Sequence, residues 1–129
     1  MMITNKFNAE HAKTGRHQGV DFVTDDRIVI YPYYRGRVMY VGYEPAGAGR
    51  FIVIRYIGRD NRTHYIEADH FAEIFIKAGQ LIFKGAKVGR MGNTGNVVSM
   101  LGGDGTHCHW ARFEPVDCEK DLTEGEAGV

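Results

Sequence analysis

The chain has 129 residues, 43% of them hydrophobic and 25% charged, an ordinary balance for one globular domain with its own core. Sixteen basic residues offset sixteen acidic ones, so no overall field draws the protein to nucleic acid or to an anionic membrane. Two cysteines, Cys108 and Cys118, are too few for a disulfide framework and read as free thiols. In chain order, the opening Met-Met-Ile-Thr-Asn-Lys lacks the apolar run of a secretory signal or a membrane span. The expectation is a protein made in the cytoplasm that reaches any target outside the cell by lysis or delivery. After the pattern His17-x-x-x-Asp21 come three runs, 27–31, 37–43 and 51–57, rich in β-branched and aromatic residues and bounded by Gly, Pro, Asn or Asp.

The turn Gly58-Arg59-Asp60-Asn61 joins the third run to 62–67 and predicts a hairpin. No segment sustains a helical period over a dozen residues, and 69–76 holds at most one short helical turn. Glycines at 79, 85, 89, 92 and 95 predict tight turns between short strands. Their spacing makes no phosphate-cradling motif. Residues 107–114 alternate well enough for a final strand. From Glu114 onward six acidic residues face the single Lys120, which predicts a solvated tail. The fold class expected is all-β, mainly antiparallel: one domain over 1–114 and an acidic C-terminal tail over 115–129.

The chemistry concentrates in two patterns. On a strand, His107-x-His109 places both imidazoles on one face, because side chains alternate with period two. Cys108 and Trp110 then point into the core, which makes the thiol a poor nucleophile or ligand. His17-x-x-x-Asp21 adds an imidazole and a carboxylate from the other end of the chain. Imidazole, carboxylate and imidazole suit a borderline metal such as Zn²⁺ with one position open for water. His70 and the spare histidine of the 107/109 pair are then the candidate proton-handling groups. His11 and His64 have no patterned partner, although His64, six residues before His70, is placed to border the same cleft.

Several stretches taken in order carry a family resemblance: His17-Gln18-Gly19-Val20-Asp21-Phe22, Ala68-Asp69-His70-Phe71, Ala78-Gly79-Gln80 through Gly92-Asn93-Thr94-Gly95-Asn96, and Thr106-His107-Cys108-His109-Trp110. Over about residues 3–114 the chain resembles the lysostaphin/LytM-type peptidoglycan metalloendopeptidases. The resemblance implies a compact antiparallel β fold with an open groove over a central sheet. It implies one Zn²⁺ on His17, Asp21 and His109, with His70 and His107 catalytic. The implied partner is the peptide of bacterial peptidoglycan, cut by a monomer that neither binds nucleic acid nor inserts into a membrane.

The sequence departs from the family at Cys108, where Leu or Val is common, and at Thr106, which stands for a common proline. It also has a longer loop between Gly95 and His107. None of these removes a ligand or a catalytic histidine, which favours an active enzyme over an inactive wall-binding or phage structural module of the same fold. A sugar-phosphotransferase carrier domain would need no aspartate ligand. The missing export signal points to a phage endolysin or virion-associated lysin.

Overall fold

A computed structural model of the chain describes residues 1–8, 10–11, 15–16, 18–97, 104–114 and 117–123, with backbone alone at 10–11 and 15–16. Its strands are β1 (Met2–Asn5), β2 (Glu10–His11), β3 (Gly15–Arg16), β4 (Val20–Val23), β5 (Ile28–Ile30), β6 (Arg35–Glu44), β7 (Gly49–Ile57), β8 (Thr63–Ile74), β9 (Leu81–Phe83), β10 (Lys87–Met91) and β11 (Cys108–Arg112). One short helix, α1 (Glu119–Thr123), follows. The main sheet runs β1-β4-β11-β8-β7-β6-β9, and β10 joins the far end of β8 to β5. Among the described residues every pairing is antiparallel. The hairpin expected across 58–61 is the β7–β8 pair, with Ile57 opposite Thr63.

Period-two alternation puts the apolar residues of each strand on one face. Ile52, Ile54 and Tyr56 of β7, Ile66 and Ala68 of β8, Cys108 and Trp110 of β11, and Val20 and Phe22 of β4 are all buried there. Burying each large side chain contributes about 1.5–3 kcal/mol, so this face holds the sheet to what covers it. The cover is the segment after β5, whose Tyr31 and Tyr33 are fully buried. Tyr33 stacks on Tyr56 at 3.7 Å and accepts a hydrogen bond from Trp110 Nε1 at 3.3 Å. The opposite face is left open.

Three expectations change. Residues 69–76 are not helical: β8 runs to Ile74, because its second half gains β10 as a partner, with Arg90 opposite Glu73. His64 shares the parity of Ile66, so it faces away from the open side; its Nε2 sits 2.8 Å from Asp60 Oδ2 and its ring 5.5 Å from that of Tyr56. The acidic stretch is not simply solvated. Cys118 is fully buried, Leu122 packs on the core, and Asp121 accepts hydrogen bonds from Tyr33 Oη and Arg112 Nη2, each at 2.9 Å. Charge counting treats Asp121 as a surface residue, but a phenol and a guanidinium supply its partners and let it dock. Residues 115–116 and 124–129 lie outside the described residues. No helix among the described residues is long and apolar enough to cross a membrane.

Candidate functional site

The site lies on the open face where β4, β11 and β8 adjoin. In the β4–β11 register His109 stands opposite Asp21, while the flanking pairs Cys108–Phe22 and Trp110–Val20 point to the core. His109 Nδ1 and Asp21 Oδ1 are 2.8 Å apart. Cys108 is fully buried, and desolvation pushes its thiol well above the ordinary range, so it is inert. The parity argument for the His-x-His pair therefore holds in the folded chain.

His107 precedes β11 and bridges to Gly92. Its Nδ1 is 2.7 Å from the carbonyl oxygen of Gly105 and its Nε2 is 3.7 Å from Asp21 Oδ1. A carbonyl oxygen only accepts, so Nδ1 carries the proton and Nε2 presents a lone pair toward the site. His70 is held the same way: its Nδ1 donates to the Thr94 carbonyl at 2.8 Å. The two rings lie 4.9 Å apart between centroids, and His70 lies 6.4 Å from His109.

His70 reaches this position through a bulge. Between the pairs Arg50–Phe71 and Ile52–Ala68, β8 has one residue more than β7, and His70 takes φ 72°. An extra residue re-aims the side chains next to it. Asp69 keeps the parity of Glu67 and stands opposite His109, while Phe71 returns to the core. The left-handed backbone costs a non-glycine residue roughly 1–2 kcal/mol and persists only where its surroundings impose it.

Those surroundings are visible. The His70 amide donates to Ala48 O at 2.8 Å, and its carbonyl accepts from the Gly92 amide at 2.9 Å. Thr94 Oγ1 accepts from the Arg50 amide at 3.0 Å and donates to Phe71 O at 2.8 Å. This close approach needs glycine at 49 and 95, where a Cβ would stand 2.4 Å from Thr94 O and 2.3 Å from the Gly49 amide, respectively.

Burial pushes the His70 imidazolium down to about 4. Its bond to Thr94 opposes that shift, and the neighbouring His107 and His109 add to it. His70 is therefore neutral across the physiological range. Sequence reasoning gave Asp69 no role. Asp69 is 6% exposed, and its Oδ1 is buried without a hydrogen-bond partner. Burial first, then the hydrogen bond and charge of Glu67, push its carboxyl well above the usual range. The signal for it was its spacing of two from Glu67, legible only once β8 is known to run straight past residue 67.

His17 lies outside the described residues, as do the side chain of His11 and residues 98–103 of the long loop after Gly95. Among the described residues no group of three His, Cys, Asp or Glu side chains closes on one point. The donor chemistry of Asp21 and His109 nonetheless fits a zinc ion. One carboxylate oxygen and one imidazole nitrogen stand 2.8 Å apart, both of a donor type that zinc accepts.

Comparison with known proteins identifies the family. Residues 15–117 match Peptidase family M23. The chain is 34% identical over 126 residues to the peptidoglycan DD-endopeptidase ShyB of Vibrio cholerae, covering 92% of this chain and 27% of ShyB. The crystal structure of a zinc-containing peptidase from Vibrio cholerae superposes with a TM-score of 0.69 at 30% identity, over 90% of this chain and 35% of that one. The catalytic domain of the antimicrobial peptidase lysostaphin from Staphylococcus simulans shares the fold, with a TM-score of 0.69 at 23% identity over 89% of this chain and 81% of that one. The chain spans between 18% and 27% of the length of the curated relatives it matches. With a family match over most of its length and an antiparallel β fold shared with solved members, the chain belongs to peptidase family M23.

Proposed function

We propose that this chain is a zinc-dependent endopeptidase domain that hydrolyses peptide bonds of peptidoglycan, with His17, Asp21 and His109 holding the metal and His70 and His107 handling protons. The observation that carries the reading is the matched pair of histidines. Each has Nδ1 fixed by a main-chain carbonyl, with rings 4.9 Å apart beside the Asp21–His109 pair. Zinc, when bound, supplies a Lewis acid that lowers the pKa of water and polarises a carbonyl group. The rest falls to the chain.

We assign the proton-accepting role to His107. Burial opposes a charge on His70, whereas an imidazolium at His107 would face the Asp21 carboxylate at 3.7 Å. His107 Nε2 takes the proton of the attacking water and returns it to the leaving amine nitrogen. His70 Nε2, neutral and fixed, accepts a hydrogen bond that orients that water. The 34% and 32% identical relatives from Vibrio cholerae, both peptidoglycan DD-endopeptidases, support a bond of the stem-peptide cross-link as the substrate over a glycine bridge.

The test is digestion of purified cross-linked peptidoglycan by the zinc-loaded protein, with and without a chelator, reading new amino termini by mass spectrometry. Chelator-sensitive release is expected, and His107→Ala should keep the zinc and lose about 10²–10⁴-fold in rate. Failure to cut several wall types with zinc bound would make the domain a non-catalytic binding module.

A further inference from the structure

The open face of the sheet continues well beyond the histidines. Tyr65, Glu67 and Asp69 alternate on β8, so Tyr65 lies on the side of the site, about 13 Å from Asp69 at ~3.3 Å per residue. Arg55 stands opposite Tyr65, and Arg37 stands opposite Arg55. Arg35, two residues before Arg37, shares its face. With Ile57, Thr63 and Leu81 these residues line a depression of about 500 Å³, the size of a small-ligand site.

Three features of this depression are costly for the protein alone. Arg37 and Arg55 are directly opposed across two strands, where like charges destabilise the pair. No acidic residue lines the depression. Among the described residues no salt bridge reaches Arg35, Arg37 or Arg55, although Arg27, Arg90 and Arg112 each find a carboxylate. Arg37 makes one bond, from Nη1 to the carbonyl of Gly79 at 2.9 Å, which fixes its guanidinium without neutralising it. The chain as a whole is uncharged, so the cluster does not reflect a basic composition. The other end of the same face has the opposite sign: Glu67, Asp21 and Glu44 all act on Asp69 there.

From the opposed, unneutralised arginines we infer a carboxylate-binding subsite on Arg35, Arg37 and Arg55, which takes an acidic residue of the peptide substrate some four residues from the bond that is cut. Guanidinium forks match carboxylate geometry, and an anion here removes the repulsion between Arg37 and Arg55. The peptide is thereby laid across β7 and β8 in one direction, its carboxylate at the arginines and the reacting amide at the histidines. Tyr65, opposite Arg55, supplies an exposed aromatic wall at the arginine end. The inference rests on the endopeptidase reading for the identity of the substrate.

The experiment uses two synthetic cross-linked peptides that differ only in a free carboxylate or a carboxamide on the remote acidic residue. Wild type and the double variant Arg37→Ala/Arg55→Ala are compared in zinc-loaded form. For the carboxylate peptide the variant should raise KM about tenfold, with the loss on KM rather than kcat, and the effect should shrink as salt rises. For the carboxamide peptide wild type should already show the higher KM, and the variant should add nothing. Equal KM ratios for both peptides overturn the subsite.

Binding measured by calorimetry keeps the two readings apart. If wild type cuts neither peptide yet binds the carboxylate form tighter, with the preference lost in the variant, the subsite stands and the catalytic reading fails. If binding is the same for both peptides, the subsite fails. Tighter binding of a soluble polyphosphodiester by wild type than by variant, with no preference between the peptides, assigns the arginines to phosphate and overturns the carboxylate proposal.

Discussion

Gly19, midway between His17 and Asp21, sets the position of His109. A Cβ added at residue 19 would stand 2.6 Å from the carbonyl oxygen of Trp110, 2.8 Å from Ala111 Cβ and 2.8 Å from His109 Cε1. Ordinary contact begins at 3.4 Å, so Gly19→Ala must find 0.8 Å against the oxygen and 0.6 Å against the ring. The oxygen and Ala111 cannot yield readily, because β11 is locked in register between β4 and β8. The His109 ring and the entry to β4 take the displacement. Displacing the ring changes its 2.8 Å approach to Asp21, the spacing at which the two donors meet. Overpacking of this kind costs about 1–3 kcal/mol in stability, and a misplacement approaching 1 Å costs on the order of 10²-fold in rate. The assay pairs kcat/KM on cross-linked peptidoglycan with zinc content and a melting curve. Gly85→Ala is the control: φ is +91° and no atom lies within 4 Å of the new Cβ, so only backbone strain of roughly 1–2 kcal/mol is added. Gly19→Ala should lose zinc and activity, whereas Gly85→Ala should lose stability alone. Wild-type zinc content and rate in Gly19→Ala would refute the reasoning.

Cys108→Ser should keep zinc and activity while losing about 1–2 kcal/mol of stability in urea unfolding, since a fully buried thiol is replaced by a hydroxyl with poor acceptors. Loss of zinc in that variant would mean that residue 108 faces the site. The metal-free protein should also show the burial of His70 in its acid stability. The folded pKa of about 4 lies below the ordinary 6.5, so between those values the unfolded chain binds a proton that the folded chain refuses. Stability from this group is complete above pH 6.5 and falls as pH drops toward 4. At pH 5 the loss is about 2 kcal/mol relative to pH 7. His70→Gln should remove that part of the pH dependence, and identical slopes for the two proteins count against the burial argument.

The strands of the main sheet were legible because alternation and register agree. The buried Ile52, Ile54 and Tyr56 alternate with the less buried Val53, Arg55 and Ile57, and the turn at 58–61 leaves one register that keeps Ile66 and Ala68 on the same face. His107-x-His109 was legible for the same reason. The bulge at His70 was not. A histidine at φ 72° follows from hydrogen bonds to Ala48, Gly92 and Thr94, each more than twenty residues away in sequence, and no local pattern encodes them. Asp121 was misread because its buried partner Tyr33 lies 88 residues away and charge alone predicts solvent. Asp69 was passed over because a helical turn was expected where β8 continues.

On the proposed reading, the way the histidines are held separates their tasks more sharply than their spacing does. His70 and His107 are each fixed by a carbonyl oxygen, which sets the tautomer and the ring angle without adding a charge. In that tautomer Nδ1 carries the proton and Nε2 holds the lone pair, the atom a proton acceptor needs. His109 instead meets the carboxylate of Asp21 across the β4–β11 pair. A carboxylate there would compete for a proton if the pair served in proton transfer, but as two donors converging on one cation it supplies negative charge that a pair of imidazoles lacks. The strand register that fixes His109 opposite Asp21 and the bulge that turns His70 toward His107 therefore build different chemistry on one face. Period-two spacing reads the shared face of His107 and His109, but neither the register nor the bulge.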